Sequence, residues 1–146
     1  MISNTDPIVV QCELQAPTNV VWKALTVNDH MKQWYFQLPN FKAEVGFKFQ
    51  FLGGKDEENQ FLHHCEIIEV IDQKKLSYSW RFDGFPGISY VHFELEDHGD
   101  STLVTITHDA IESFEPFHVD FAKANFLEGW TSILDTSLRN FVEKKS

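Results

Sequence analysis

The chain has 146 residues, of which 42% are hydrophobic and fourteen are Phe. A chain of this length can bury about 70% of the surface that it exposes when unfolded, so we predict a single domain over residues 1–146. Acidic residues outnumber basic ones by 22 to 12 and give a formal net charge of −10. Nucleic acids and anionic membranes bind basic patches, and the sequence holds no Lys/Arg cluster, which argues against both partners.

The start of the chain and its cysteines indicate the compartment. Residues 1–7 have neither the basic nor the apolar region of a secretory signal, and no apolar run approaches the roughly 20 residues of a membrane span. Cys12 and Cys65 lack CxxC spacing, and we expect buried, reduced thiols outside any electropositive setting. A cytoplasmic location is the prediction that follows.

The first third of the chain predicts one strand and two short helices. Residues 8–14 are rich in β-formers, with apolar residues at every second position. Pro17 suits the first turn of a helix that continues through residues 20–25, because the missing N–H of proline is not needed there. Asn28 is the predicted N-cap of a second short helix, which includes Trp34.

From residue 45 the apolar period changes to two, which is typical of half-buried strands. Phe47, Phe49 and Phe51 alternate with polar residues, and residues 53–60 form a predicted polar connection. The strand at residues 61–71 then turns back on itself.

This first hairpin pairs the strand at 61–71 with one at 76–82. A loop of even length sets Ile67 opposite Trp80 if no bulge intervenes. His63 then lies on the same face as these two residues.

The second hairpin joins residues 88–97 to residues 102–108. Gly99 at the first central position suits a type II′ turn, whose twist matches that of the flanking strands. The turn sets three pairs opposite one another on one face, with His92 on the other face. The pairs are Leu95 with Val104, Phe93 with Ile106, and Val91 with His108.

A long helix is predicted over residues 120–143, where no proline interrupts the helical period. Gly129 inside it costs up to about 1 kcal/mol relative to Ala, so we expect a closely approaching neighbour or room beside Trp130 there. The predicted apolar stripe of this helix consists of Leu127, Trp130, Leu134, Leu138 and Phe141.

No crossover segments separate the strands, so the sheet is predicted to be antiparallel. The order of elements therefore predicts an α+β fold in which a curved sheet of about six strands packs around the long C-terminal helix.

Several short segments, in this order along nearly the whole chain, carry a resemblance to a known family. They are Ala16-Pro17, Val21-Trp22 to Leu25, Met31 with Trp34, Gly46 to Phe49, Leu76 to Trp80, Val91 to Leu95, Leu103 to His108, and Gly129-Trp130. The chain resembles the START-like (SRPBCC) superfamily and, within it, the family of the heat-shock-protein-90 ATPase activator. The resemblance implies a helix-grip fold with a deep apolar cavity between sheet and C-terminal helix. Members of the superfamily include lipid carriers, polyketide cyclases and chaperone regulators, so the resemblance leaves the activity open.

The predicted site is this cavity, lined by rings and a few polar groups that orient a ligand. The alternative is that the rings fill a closed core. The predicted ligand-binding residues are Phe49, His63, Tyr78, Trp80, Phe82, Phe93, Ile106, His108, Phe126 and Trp130.

Histidine side chains can serve in acid–base chemistry and as metal ligands, and the sequence holds seven of them. His108 ends a strand and can serve as an acid or base near neutral pH, although a hydrogen bond from it to a backbone carbonyl is the simpler alternative. His63 and His64 point to opposite faces, and neither HExxH nor zinc-type Cys/His spacing occurs. No metal site, cofactor or catalytic residue is predicted.

The sequence therefore predicts a non-enzymatic binder or carrier of a small apolar or aromatic molecule. One alternative is a cyclase- or hydrolase-like enzyme with His108 or His63 as acid or base. Another is a regulatory module that contacts a chaperone through its sheet, which would need an exposed apolar patch. The residues predicted to face outward are instead polar: Lys48, Gln50, Ser77, Ser79, Arg81 and Glu94.

Overall fold

The structure, a computed structural model, describes residues 7–31, 41–54, 60–85, 87–109 and 123–143. The C-terminal helix contains a π-helical segment, Ile133–Leu138, between two α-helical parts. The elements in chain order are β1 (Ile8–Leu14), α1 (Thr18–Thr26), α2 (Asn28–Met31), β2 (Lys48–Gly54), β3 (Gln60–Ile71), β4 (Lys75–Phe82), β5 (Ser89–Asp97), β6 (Thr102–Asp109), α3 (Lys123–Ser132) and α4 (Arg139–Glu143).

All six strands form one sheet in the order β1-β6-β5-β4-β3-β2, and every neighbouring pair is antiparallel. One face of this sheet, the inner face, is buried together with the C-terminal helix. The predicted α+β architecture is confirmed. None of the helices in the described part of the chain is both long and apolar enough to cross a membrane.

The β5–β6 hairpin has the predicted register. All three predicted pairs are present, from Leu95 opposite Val104 to Val91 opposite His108. Gly99 has a φ of 86°, and the N–H of His98 donates to the carbonyl of Ser101 at 3.0 Å. The turn residue and the apolar pattern agree, and together they determine the pairing.

The predicted β3–β4 register is wrong by two residues. Trp80 lies opposite Cys65 rather than Ile67, because the loop has three residues, Asp72–Lys74, and a bulge interrupts the ladder between Ile67 and Glu69. Each irregularity shifts the pairing by one residue. From Ile67 back to Phe61 the two shifts add up to two residues and preserve the face of each side chain, so the predicted inner face is correct there. Between the bulge and the loop it is inverted, and Val70 rather than Ile71 packs against the core.

Several element ends differ from prediction. Pro17 occupies the N-cap of α1 with extended backbone (φ −64°, ψ 154°), and its carbonyl accepts hydrogen bonds from the first turn. Asn28 is the first residue of α2 rather than its N-cap, and Trp34 lies outside the described residues. Gly53 and Gly54 continue β2 where a connection was predicted, because the long β3 strand offers them pairing partners.

The buried stripe of the C-terminal helix also differs from the predicted one. Trp130, Leu134, Leu138 and Val142 are buried at intervals of four residues, whereas Leu127 is 43% exposed. Four residues of an α-helix advance about 40° beyond a full turn, so such a stripe would wind around the helix. The wider π-helical segment compensates for this drift and keeps the four side chains on one face.

Gly129 has no close neighbour. A Cβ placed there meets no atom within 4 Å, so the expectation of a tight approach is wrong. Nothing in the described packing compensates for the flexibility of this glycine.

We therefore expect Gly129→Ala to raise the free energy of unfolding by about 0.5–1 kcal/mol, measured by urea denaturation. Gly99→Ala is the matched control, because a Cβ there also meets nothing within 4 Å while φ is +86°. That substitution should destabilise the protein, since only backbone strain distinguishes the two positions. A neutral or destabilising Gly129→Ala would contradict this account.

Candidate functional site

The structure brings all ten predicted ligand-binding residues together on the inner face. Nine of them are buried, and Phe126 on α3 is half-buried. Phe51 joins them, because its ring stacks on His63 with centroids 4.5 Å apart. The period-two pattern of β2 already placed Phe51 on the face of Phe49 and was the signal for including it. We call the following set the inner aromatic cluster: Phe49, Phe51, His63, Tyr78, Trp80, Phe82, Phe93, Ile106, His108, Phe126 and Trp130.

Ring contacts run through this cluster from the β2 edge to the C-terminal helix. Tyr78 is 5.2 Å from Phe49 and 6.4 Å from Trp80, and Trp80 is in turn 5.5 Å from Trp130, measured between centroids. The first of these contacts is edge-on, the second is stacked and the third is tilted, and aromatic pairs prefer edge-on and offset-stacked arrangements. The inner face is therefore a nearly continuous wall of rings.

His63 is a neutral member of this wall. Its Nδ1–H donates to the carbonyl of Phe61 at 2.8 Å, and its ring also lies 4.7 Å from Trp80. Burial lowers the pKa of His63 to about 4, although backbone hydrogen bonds partly oppose this shift. An imidazole with this pKa is uncharged at neutral pH.

His108 is fully hydrogen-bonded. The indole N–H of Trp130 donates to Nδ1 at 2.9 Å, so Nδ1 carries no proton and Nε2–H donates to Oγ of Ser89 at 2.7 Å. The Ser89 hydroxyl donates in turn to the carbonyl of Trp80 at 3.2 Å. The alternative of a direct hydrogen bond from His108 to a backbone carbonyl is therefore wrong, since both ring nitrogens have side-chain partners.

Burial, together with smaller effects of the nearby His92 and His63, lowers the pKa of His108 to about 3. With both ring nitrogens engaged and the charged form disfavoured, His108 is a poor acid or base at neutral pH. The prediction did not include Ser89. The odd-numbered inward pattern of β5 (Val91, Phe93) extends to it and was the available signal.

Trp80 is the exception to this satisfied network. Among the residues that the structure describes, its indole nitrogen is the one buried side-chain polar atom without a hydrogen-bond partner. The residue is only 5% exposed. A buried donor left without an acceptor costs about 1–3 kcal/mol, so an unpaired group of this kind calls for an explanation.

The outer face carries a serine–histidine–aspartate chain that sequence reasoning missed. Ser77 Oγ lies 2.7 Å from Nδ1 of His92, and Nε2 of His92 lies 3.1 Å from Asp109. Ser77 is completely buried, so no substrate can reach its hydroxyl. These hydrogen bonds link β4, β5 and β6. They could not be predicted from the sequence, because the pairing of Ser77 with His92 depends on the register between β4 and β5, for which the sequence gives no signal.

The outer face also forms a polar groove of about 520 Å³ across β2, β3 and β4. His64 lies in it, 3.0 Å from Asp83, so His63 and His64 do point to opposite faces. Of the six residues predicted to face outward, Ser77 and Ser79 are buried, since neighbouring side chains cover their small hydroxyls. In the described ranges, no three His, Cys, Asp or Glu side chains form a group that could hold a metal ion.

The two cysteines differ from each other. Cys65 is buried as expected, and burial raises the pKa of its thiol. Cys12 is only half-buried and contacts the guanidinium of Arg139, so the expectation of a buried thiol outside any electropositive setting is wrong for it. Burial nevertheless raises the pKa of Cys12, and Asp135 at 3.6 Å adds to this effect. The thiol is therefore not activated.

The buried histidines predict an acid-sensitive stability. Because the unfolded chain protonates His63 and His108 near pH 6.5 and the folded protein resists protonation, stability is full above about pH 7 and falls as the pH drops from about 6.5 towards 4. Each histidine contributes a slope approaching about 1.4 kcal/mol per pH unit in this window. We expect His63→Phe to make the decline shallower in urea denaturation measured from pH 7.5 to 4.5.

His98 supplies a control of opposite sign. Hydrogen bonds to Glu96 and Glu13 raise the pKa of His98, so its contribution is present below about pH 6.5 and is lost as the pH rises through the folded pKa. His98→Gln should therefore make the acid decline steeper. Equal slopes for the wild type and both variants would show that these histidines do not govern the pH dependence.

Known proteins share the fold of this chain. DynU16, from the dynemicin biosynthetic locus, has a TM-score of 0.76 and 21% identity, with 95% of this chain and 48% of DynU16 covered. CalU16 from Micromonospora echinospora has a TM-score of 0.71 and 22% identity, with 94% of this chain and 76% of CalU16 covered. A protein from Chromobacterium violaceum has a TM-score of 0.79 and 18% identity, with 96% of this chain and 99% of that protein covered. This chain thus spans about half the length of DynU16. At these identities the likeness concerns the fold alone.

The family comparison is more specific. A search of curated proteins returns no match. The helix-grip (SRPBCC) fold is one whose members bind hydrophobic ligands. A family model, described as activator of Hsp90 ATPase homolog 1-like protein, matches residues 15–143. The chain therefore belongs to the activator of Hsp90 ATPase homolog 1-like family.

Proposed function

We propose that this protein binds one small apolar or aromatic molecule against the inner aromatic cluster, between the sheet and the C-terminal helix. The observation that carries the proposal is the unpaired indole N–H of Trp80 within a wall of rings. Ligand sites are mostly apolar and contain a few polar groups that orient the ligand. The Trp80 N–H is such a group.

The alternative of a closed core accounts less well for this donor. The neighbouring polar groups of the inner face are paired: Trp130 with His108, His108 with Ser89, and Ser89 with a carbonyl. In a closed core, the indole N–H of Trp80 would be expected to have a hydrogen-bond partner as well, or a Phe without any N–H would occupy this position. A bound acceptor would remove the cost of this unpaired donor.

Acid–base catalysis receives less support than binding. Both nitrogens of His108 are engaged, and burial lowers the pKa of His108 to about 3 and that of His63 to about 4. Either ring would take up a second proton only in acid, far from the range in which a general acid or base is effective.

A chaperone-docking role also receives less support. The exposed apolar residues of the described strands are Val9 on β1, Leu52 on β2, and Ile68 and Ile71 on β3. Val9 lies at the opposite edge of the sheet from the other three, and the outer face of β2, β3 and β4 carries the polar groove. Protein-binding surfaces are typically contiguous apolar patches.

Titration with the uncharged fluorophore N-phenyl-1-naphthylamine tests the proposal. We expect a saturable rise in fluorescence at one molecule per chain as the fluorophore leaves water. Phe126→Trp enlarges a half-buried ring that lies 6.2 Å from Phe82 and 5.2 Å from His108. Crowding of this kind costs about 1–3 kcal/mol, so the affinity should fall about fivefold or more.

Leu127→Trp is the matched control. It introduces an indole at the next residue of α3, where the side chain is exposed, and should leave the affinity for the fluorophore unchanged. Circular dichroism would verify that both variants fold. Absence of saturable binding to the wild type, or equal weakening by both substitutions, would contradict the proposal.

A further inference from the structure

We infer that the ligand carries an uncharged hydrogen-bond acceptor, such as a ketone, quinone or ether oxygen, that accepts from Nε1 of Trp80, and that the site discriminates against carboxylates. This inference rests on the proposed function and specifies its ligand class. Three features of the inner face carry it: one free donor, the lack of a cation, and the rings around the donor.

The first feature is the donor. An indole N–H can donate but cannot accept, so the group opposite Trp80 must be an acceptor. The other indole of the cluster, Trp130, is already bonded to His108, and the Ser89 hydroxyl is engaged on both sides. Trp80 is therefore the one side-chain donor of this described network that remains for a ligand.

The second feature is the charge of the surroundings. Within the described residues, the buried side chains with polar groups are Ser, Thr and His together with Tyr78 and the indoles, and no Lys or Arg is buried. His63 and His108 are neutral at pH 7, because burial lowers their pKa values to about 4 and 3. A carboxylate taken out of water without a cation or several donors is strongly disfavoured. One hydrogen bond from an indole N–H can replace the hydration of a neutral oxygen, but it cannot replace that of a carboxylate.

The third feature is the shape of the wall. The Trp80 ring is bordered by His63, His108, Trp130 and Phe51, with centroids 4.7, 5.3, 5.5 and 5.7 Å away. Rigid rings in edge-on and tilted contact present flat surfaces rather than a flexible channel. A flat, ring-containing skeleton matches these surfaces better than a flexible chain does, because it loses less rotational freedom on binding.

Three naphthalene probes of nearly equal size test the inference by isothermal titration calorimetry. They are 2-acetylnaphthalene, a neutral ketone; 2-isopropenylnaphthalene, in which CH₂ replaces the oxygen; and 2-naphthoate, a carboxylate. A net hydrogen bond of about 1 kcal/mol predicts that the wild type binds the ketone roughly fivefold more tightly than the olefin. The carboxylate should bind at least about tenfold more weakly than the ketone.

Trp80→Phe keeps a ring at the site and removes the N–H, so it should bind the ketone no more tightly than the olefin, because the ketone oxygen is then buried without a donor. Trp22→Phe is the matched control, because it removes an indole from α1 and should retain the preference for the ketone. If Trp80→Phe does not fold, the carbonyl stretch of the ketone bound to the wild type serves instead. A hydrogen bond shifts this infrared band below its frequency in hydrocarbon solvent.

The outcomes separate the two proposals. If none of the probes binds, the proposed function fails and the inference fails with it. If ketone and olefin bind equally to the wild type, if naphthoate binds best, or if the ketone preference persists in Trp80→Phe, the inference is overturned while the proposed function stands. An unshifted carbonyl band would overturn it as well.

Discussion

The hydrogen bond from the Trp130 indole to His108 connects the C-terminal helix to the sheet, and the chemistry of the inner face follows from it. Because the indole N–H can only donate, the bond fixes the proton of His108 on Nε2 and directs it to Ser89. Ser89 then binds the backbone of β4 at Trp80. A continuous series of hydrogen bonds between side chains therefore joins α3, β6, β5 and β4. The indole N–H of Trp80 is not part of this series and remains the unpaired donor.

The same arrangement separates charge from rings. The inner face holds Phe, Tyr, Trp and two neutral histidines, while the carboxylates that give the chain its net charge of −10 lie in solvent-exposed or half-buried positions in the described residues. A separation of this kind favours the solubility of aromatic-rich proteins. We propose that it also makes the interior favour neutral ligands, and we expect acid to destabilise the fold through the buried His63 and His108.

The sequence predicts most of the wall because the period of a strand is two. Gly99 determines the β5–β6 register, and the alternating Phe residues of β2 place their rings inward. In β3–β4 the register is wrong but the inner face is correct from Phe61 to Ile67, since a three-residue loop and a bulge shift the pairing by one residue each. Neither irregularity has a clear signal at the sequence level.

Contacts between side chains of different elements could not be predicted from the sequence pattern. The pairing of His108 with Trp130 and the unpaired state of Trp80 both depend on where the C-terminal helix lies over the sheet. At the end of the helical stripe Val142 is buried in place of the predicted Phe141, because the π-helical segment before it changes the period of the helix. Side-chain pairing across elements, rather than the elements themselves, is therefore what the sequence leaves open.

The most direct test of this account follows the indole N–H of Trp80 by ¹H–¹⁵N NMR, assigned through its absence in Trp80→Phe. On saturation with 2-acetylnaphthalene, the account predicts that the Trp80 indole proton moves downfield and exchanges more slowly with solvent. The Trp130 indole, already bonded to His108, should change much less. An unperturbed Trp80 indole at saturating ketone would contradict the claim that the inner face is a binding wall.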